Sequence, residues 1–150
     1  MINYAGATAG FDTEERKRTL IEKLLAVDRE KATEKETKEL RSAKLERLIG
    51  SGAKIKIKEI SGRRFNDLNK MLYTSKGDRD HSKDYDYNLM ICAEGIAEPS
   101  LKDALLMEHF GASTPKDLAE ILFGVESASI SMEIVKLSGL ADEAEDDIKN

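Results

Sequence analysis

Residues 88–140 read NLMICAEGIAEPSLKDALLMEHFGASTPKDLAEILFGVESASISMEIVKLSGL, a run of apolar residues at helical spacing cut by recognisable start and stop residues. Tyr85, Leu89, Cys92 and Ile96 fall at i, i+4, i+7 and i+11, and Met90, Ile91 and Ala93 make that helix apolar nearly all round, so it belongs at the centre of a core. Pro99-Ser100 ends it. Ser100 with Asp103 opens the next helix, which uses Leu101, Ala104, Leu105, Leu106 and Phe110 to bury one side before Gly111 stops it. Thr114-Pro115 then sets a capping hydroxyl ahead of a proline at the first helical position, followed by Leu118, Ile121, Leu122 and Phe123 up to Gly124. The last helix, residues 126–138, carries Ile130, Ile134 and Leu137 and ends at Gly139.

Working outward, Phe65, Leu68, Met71 and Leu72 predict a short amphipathic helix over residues 63–73, with a polar loop after it. Residues 53–60, AKIKIKEI, alternate Ile55 and Ile57 with Lys54, Lys56 and Lys58 and predict a strand with one apolar and one cationic face. Gly50-Ser51-Gly52 is a turn before it, and residues 45–49 are the expected partner strand of a hairpin, although Leu45 and Leu48 suit a helix end equally well. From Asp28 to Lys44, eleven of seventeen residues are charged and the apolar ones are Ala32, Leu40 and Ala43, which predicts a charged helix or helical linker without a buried face. Ahead of it, Asp12 with Glu15 marks a helix start and Leu20, Ile21, Leu24, Leu25 and Val27 form a stripe.

The expected fold is therefore α+β and mostly α: a small domain of four to five short helices with one β-hairpin, preceded by a charged N-terminal helix. The organisation reads as a flexible start and charged arm over residues 1–44, a compact body over 45–140 and an acidic tail over 141–150. The chain has 150 residues, 40% hydrophobic and 35% charged, a size and balance suited to one such domain with solvated appendages. Residues 1–75 hold 17 Lys/Arg against 12 Asp/Glu, whereas residues 76–150 hold 7 against 17, so the halves have opposite sign. No apolar run approaches the roughly 18 residues of a membrane span, and the N-terminus lacks the basic-then-apolar order of a signal peptide.

Chemistry-bearing patterns are weak. Residues 77–86, GDRDHSKDYD, crowd acids around His81, but an EF-hand loop begun at Asp78 would need Gly where Lys83 stands and Glu where Leu89 stands. His109 follows Glu108 without an HExxH pattern or a second histidine on its face, and the single Cys92 lies on the most apolar helix, where a thiol is core filler. No nucleophile elbow or phosphate-binding glycine loop occurs, so the expectation is a non-enzymatic protein without metal or cofactor. The Lys54/Lys56/Lys58 face with Arg63-Arg64 is the one basic cluster, but with few aromatics and an isoelectric point near 5.2 it argues against nucleic acid.

The order of pieces over residues 54–140 resembles the XkdN-like phage tail assembly chaperones. Four stretches carry the likeness: ICAEGIAEPSLK at 91–102 with its helix break at Glu98-Pro99, FGASTPKDLAEIL at 110–122, FGVE at 123–126, and IVKLSGL at 134–140. The charged opening from Glu14 to Lys44 is also of a kind such proteins often carry. The resemblance implies a phage or prophage factor of the bacterial host cytoplasm, absent from the mature virion. It would bind the tape measure protein, keep that long apolar helical chain soluble and help recruit tail tube protein around it, without catalysis. Self-association is a further expectation. The alternatives are a structural component retained in the tail and, less favoured, a small nucleic-acid-binding regulator. A groove for an apolar helical stripe would be lined by Met71, Leu72, Leu106, Met107, Phe110, Leu122 and Phe123, which sit at or beside the edges of the predicted core stripes; packing inside the core is the competing role for each.

Overall fold

A computed structural model describes residues 19–139, and the chain divides into two units, Met1–Glu34 and Lys35–Asn150. The expected helix start at Asp12, the flexible opening and the acidic tail lie outside the described residues. Within the first unit, residues 19–25 form a helix (α1) and Arg29–Ala32 a single turn (α2). Leu20, Ile21, Leu24 and Leu25 of the predicted stripe are helical and Val27 follows in a bend, yet all five are exposed.

The second unit carries the core. Its elements are β1 (Thr37–Arg41), α3 (Ala43–Ile49), β2 (Lys54–Lys58), α4 (Gly62–Asn69), α5 (Asp84–Gly95), β3 (Ile96–Glu98), α6 (Ala104–Phe110), α7 (Pro115–Phe123) and α8 (Ser127–Leu137), with 3-10 turns at Lys70–Leu72, His81–Lys83 and Gly124–Glu126. The fold is α+β and mostly α. The sheet has three antiparallel strands in the order β1-β2-β3, and the Glu98–Pro99 peptide that closes β3 is cis.

Two expectations about the N-terminal half are corrected. Residues 28–44 are not one charged helix: the segment breaks after α2, and Thr37–Arg41 becomes the strand paired to β2, with Lys38 opposite Ile57 and Leu40 opposite Ile55. Residues 45–49, whose spacing suited a partner strand or a helix end, take the helical alternative as part of α3, which bridges the two paired strands. The body consequently begins near residue 35, ahead of the boundary expected at 45. Local charge favoured a solvated helix by a few tenths of a kcal/mol per ion pair. The ladder overrides that preference, because β2 needs hydrogen-bonding partners on both sides when Ile55 and Ile57 are buried. Lys38, on the apolar side of the sheet, stays compatible with it by reaching Glu133 of α8 at 3.0 Å.

Caps follow the sequence closely. Ser61 accepts from Arg64 N to start α4, and Thr114 accepts from Asp117 N with Pro115 next to it to start α7. Gly111 closes α6 in the left-handed conformation at φ 69°. The cap of α6 is Asp103, whose Oδ1 accepts from Leu106 N at 2.9 Å; Ser100 belongs to the preceding turn. α3 is held from both sides of the fold: buried Ser42 accepts from Leu45 N and donates to Glu126, while the other oxygen of Glu126 accepts from Ala43 N at 2.9 Å. A carboxylate at a helix N-terminus meets unsatisfied N–H groups and the positive end of the helix dipole.

The core joins the inner face of the sheet to α5, α7 and α8. Ile55, Ile57, Leu89, Ile91, Cys92, Leu101, Leu118, Phe123 and Ile134 are each at most 1% exposed. As the all-round apolar pattern requires, α5 is central, packed against α7 and α8.

Candidate protein-docking site

Within the second unit, α6 leaves much of its apolar surface unburied. None of its residues is buried, because its inward work is done by Leu101 just before it and by the half-buried Leu106 and Met107. Leu105-Leu106-Met107 are consecutive, so on a helix they point in directions about 100° apart and cannot all face one core. Leu105 is left 78% exposed. Beside it an open cavity of about 450 Å³ is lined by Pro99, Ser100, Asp103, Leu105, Leu106 and His109. The His109 ring meets Phe110 edge-on at 4.8 Å and 89°, which props the far end of this surface. The arrangement offers apolar area with a few polar groups at its rim, suited to holding a protein segment.

The expected groove residues divide between this surface and the interior. Leu106 lines the cavity, Met107 is half-buried on the same helix, and Phe110 is 38% exposed at its end. Leu72, Leu122 and Phe123 are core residues at 5%, 4% and 1% exposure and take no part in the α6 cavity. Their stripe edges face neighbouring helices, which single-helix periodicity does not reveal. Met71 is half-buried in the 3-10 turn after α4. Leu105, Pro99 and His109 were not among the expected groove residues, and three successive large apolar residues on a seven-residue helix were the available signal.

The remaining chemical candidates have structural partners. Asp80 caps the 81–83 turn by accepting from Ser82 N and Oγ, and the Ser82 hydroxyl is the main reason its carboxyl lies below the usual range. Asp84 accepts from Arg79 at 2.6 Å, which depresses its pKa, with His81 Nδ1 at 3.4 Å adding to the effect. Among the described residues no group of three His, Cys, Asp or Glu side chains is placed to hold a metal. The lysine face of β2 is interleaved with acids: Glu39 stands opposite Lys56 on one side, Glu98 on the other, and Lys54 reaches Glu39 at 4.0 Å.

Cys92 is fully buried against α8, where its Sγ lies 3.5 Å from the Ser127 carbonyl, and burial pushes the thiol up to about 12. A thiol-modifying disulfide reagent at neutral pH is expected to react with it only as fast as the protein opens, and at once in denaturant. Because the folded pKa exceeds the ordinary 9.0, ionisation favours the unfolded chain as pH rises from about 9 towards about 12. Denaturant midpoints should fall across that window, and a Cys92→Ala variant should lack this component.

Comparison with known proteins agrees with this architecture. The family described as "Phage XkdN-like tail assembly chaperone protein, TAC" matches residues 21–150, which includes α6, its cavity and the whole sheet. The chain is a member of that family. No curated protein matches this XkdN-like chaperone. Among solved structures it is similar to the crystal structure of the protein yqbn, a structural genomics target, at 20% identity and a TM-score of 0.52, covering 70% of this chain and 87% of that one. At that identity the likeness concerns the fold. No helix among the described residues of the XkdN-like chaperone is long and apolar enough to cross a membrane.

Proposed function

We propose that this XkdN-like chaperone binds the tape measure protein through the α6 surface and keeps that protein soluble during tail assembly. The observation that carries the reading is Leu105, exposed at 78% beside an apolar cavity in a member of a tail assembly chaperone family. A tape measure chain presents apolar helical stripes. A groove with Leu105, Leu106 and Pro99 along it and Met107 and Phe110 nearby would take such a stripe by helix-in-groove docking. The contacts are non-covalent and reversible, need no cofactor, and would free the tape measure protein as tail tube protein assembles around it. In this reading the work is done in the cytoplasm of the bacterial host during infection or prophage induction, and the chaperone does not stay in the finished tail.

Co-expression with the tape measure protein of the same phage should raise its soluble yield and allow co-purification. Leu105→Ser should remove most of that gain while changing stability by no more than about 0.5 kcal/mol, since the side chain is largely in water already. Unchanged yield with the wild-type chaperone would sink the proposal. Quantitative mass spectrometry of purified tails should find the chain depleted; a stoichiometric amount would instead identify a structural subunit.

A further inference from the structure

A second surface lies where the end of α7 meets α3. Lys44 donates to the Ile121 carbonyl at 2.6 Å and so lies over the C-terminal turn of α7, where orphan carbonyls welcome a cation. A cavity of about 340 Å³ opens there between Lys44, Arg47, Phe123, Gly124, Val125 and Glu126. Val125 in its wall is 89% exposed, and α3, which supplies Lys44 and Arg47, also exposes Leu48 at 58%, one turn after Lys44, and Ile49 at 76%. Its charge is unbalanced in one direction. Among the described residues neither Lys44 nor Arg47 enters an ion pair, whereas Arg41 on the same side of the chain is held by Glu46 at 2.6 Å. Glu126, the carboxylate in the cavity wall, has both oxygens engaged by Ser42 and Ala43, so it is turned into the start of α3.

We propose that this face docks an acidic amphipathic segment of a partner protein, its apolar side chains on Val125 and Leu48 and a carboxylate on Arg47. Charge complementarity selects the occupant. Exposed apolar area alone would accept any greasy segment, but an unpaired guanidinium next to it makes a carboxylate favourable and a basic flank unfavourable. An acidic helix is favoured over an acidic extended chain, because apolar and acidic groups one turn apart match an apolar rim bordered by a cation. The surface is separate from α6, so the inference does not depend on tape measure binding.

The test uses the full chain and two capped peptides of roughly 18 residues, long enough for helix formation: one patterned with Leu and Glu, the other an identical pattern with Lys for Glu. The Leu/Glu peptide should bind and move the amide resonances of residues 44–48 and 124–126. Arg47→Glu should weaken it roughly fivefold or more, the size of one exposed charge contact reversed. Val125→Ser, at a position too exposed to affect folding, should also weaken it, and raising salt from about 50 mM to about 300 mM should do so through screening. Leu105→Ser should leave it unchanged, which separates this result from any failure of the α6 reading. Equal binding of the Leu/Lys peptide, or resonance changes confined to α6, would overturn the proposal. So would a change in sedimentation of the free protein on Val125→Ser, since the face would then be occupied by a second copy.

Discussion

Phe123→Ala is expected to lower the unfolding free energy by about 3–5 kcal/mol, a large part of the stability of a domain this size. The ring is 1% exposed at the end of α7, within the cluster that joins the sheet to α5, α7 and α8, so truncation removes its transfer free energy and leaves a cavity. Collapse around the gap is hindered. Gly124 directly after it adopts φ 54° and ψ −126° to turn into the 124–126 segment, and Glu126 of that segment holds the start of α3. The loss should appear in the denaturant midpoint with an unchanged slope. The contrast with Leu105→Ser is the useful part. Phe123 and Leu105 both look like surplus apolar residues on short helices, yet one substitution should remove a large part of the stability and the other should leave the fold intact while weakening docking. A stable Phe123→Ala protein with impaired docking would show that α7 opens to admit a partner.

Gly95→Val should be nearly as damaging, through excess volume. Gly95 ends α5 against α8, and a β-carbon there would lie 2.6 Å from both Cδ1 and Cγ2 of Ile134, a side chain with 0% exposure. Even Gly95→Ala should cost about 1–3 kcal/mol by overpacking, against the roughly 1 kcal/mol that alanine gains over glycine within a helix. Valine adds two methyl groups in the same gap and should lie at the upper end of that range or beyond. The diagnostic experiment is a double-mutant cycle. Ile134→Ala alone should destabilise by about 2–5 kcal/mol, but combined with Gly95→Ala part of the loss should be recovered, giving a coupling of about 0.5–3 kcal/mol. Strict additivity would mean that the helices separate rather than clash.

The two positions also show where sequence reading succeeds and where it stops. Helices α4, α5, α7 and α8 were legible because each carries an apolar periodicity and local punctuation: Ser61, Thr114-Pro115, Gly124 and Gly139 act within a few residues of themselves. Which residue on a stripe edge is covered is a different question. Leu122 and Phe123 are covered in the core, whereas Leu105 is left 78% exposed, and spacing along one helix contains neither fact. Of the expected groove residues, Leu106, Met107 and Phe110 lie on α6 and Leu106 alone lines its cavity, while Leu105, expected to face the core, is the most exposed of that helix's large apolar residues.

The sequence by itself determined the α-dominated α+β class, the centrality of α5, the ends of most helices and the strand at residues 54–58, because those features follow from interactions over a few residues. It also carried the family likeness over 54–140, in stretches that mark the fold. Tertiary structure decided the rest. Thr37–Arg41 is a strand, despite its charge, because it pairs with β2; Ile96–Glu98 is a third strand for the same reason, although its spacing continued the preceding helix. A strand's stability resides in hydrogen bonds to partners far away in the chain, and the exposure of a side chain resides in what packs beside it. Neither quantity is local, and so the sheet order and the two candidate docking faces become visible only in three dimensions.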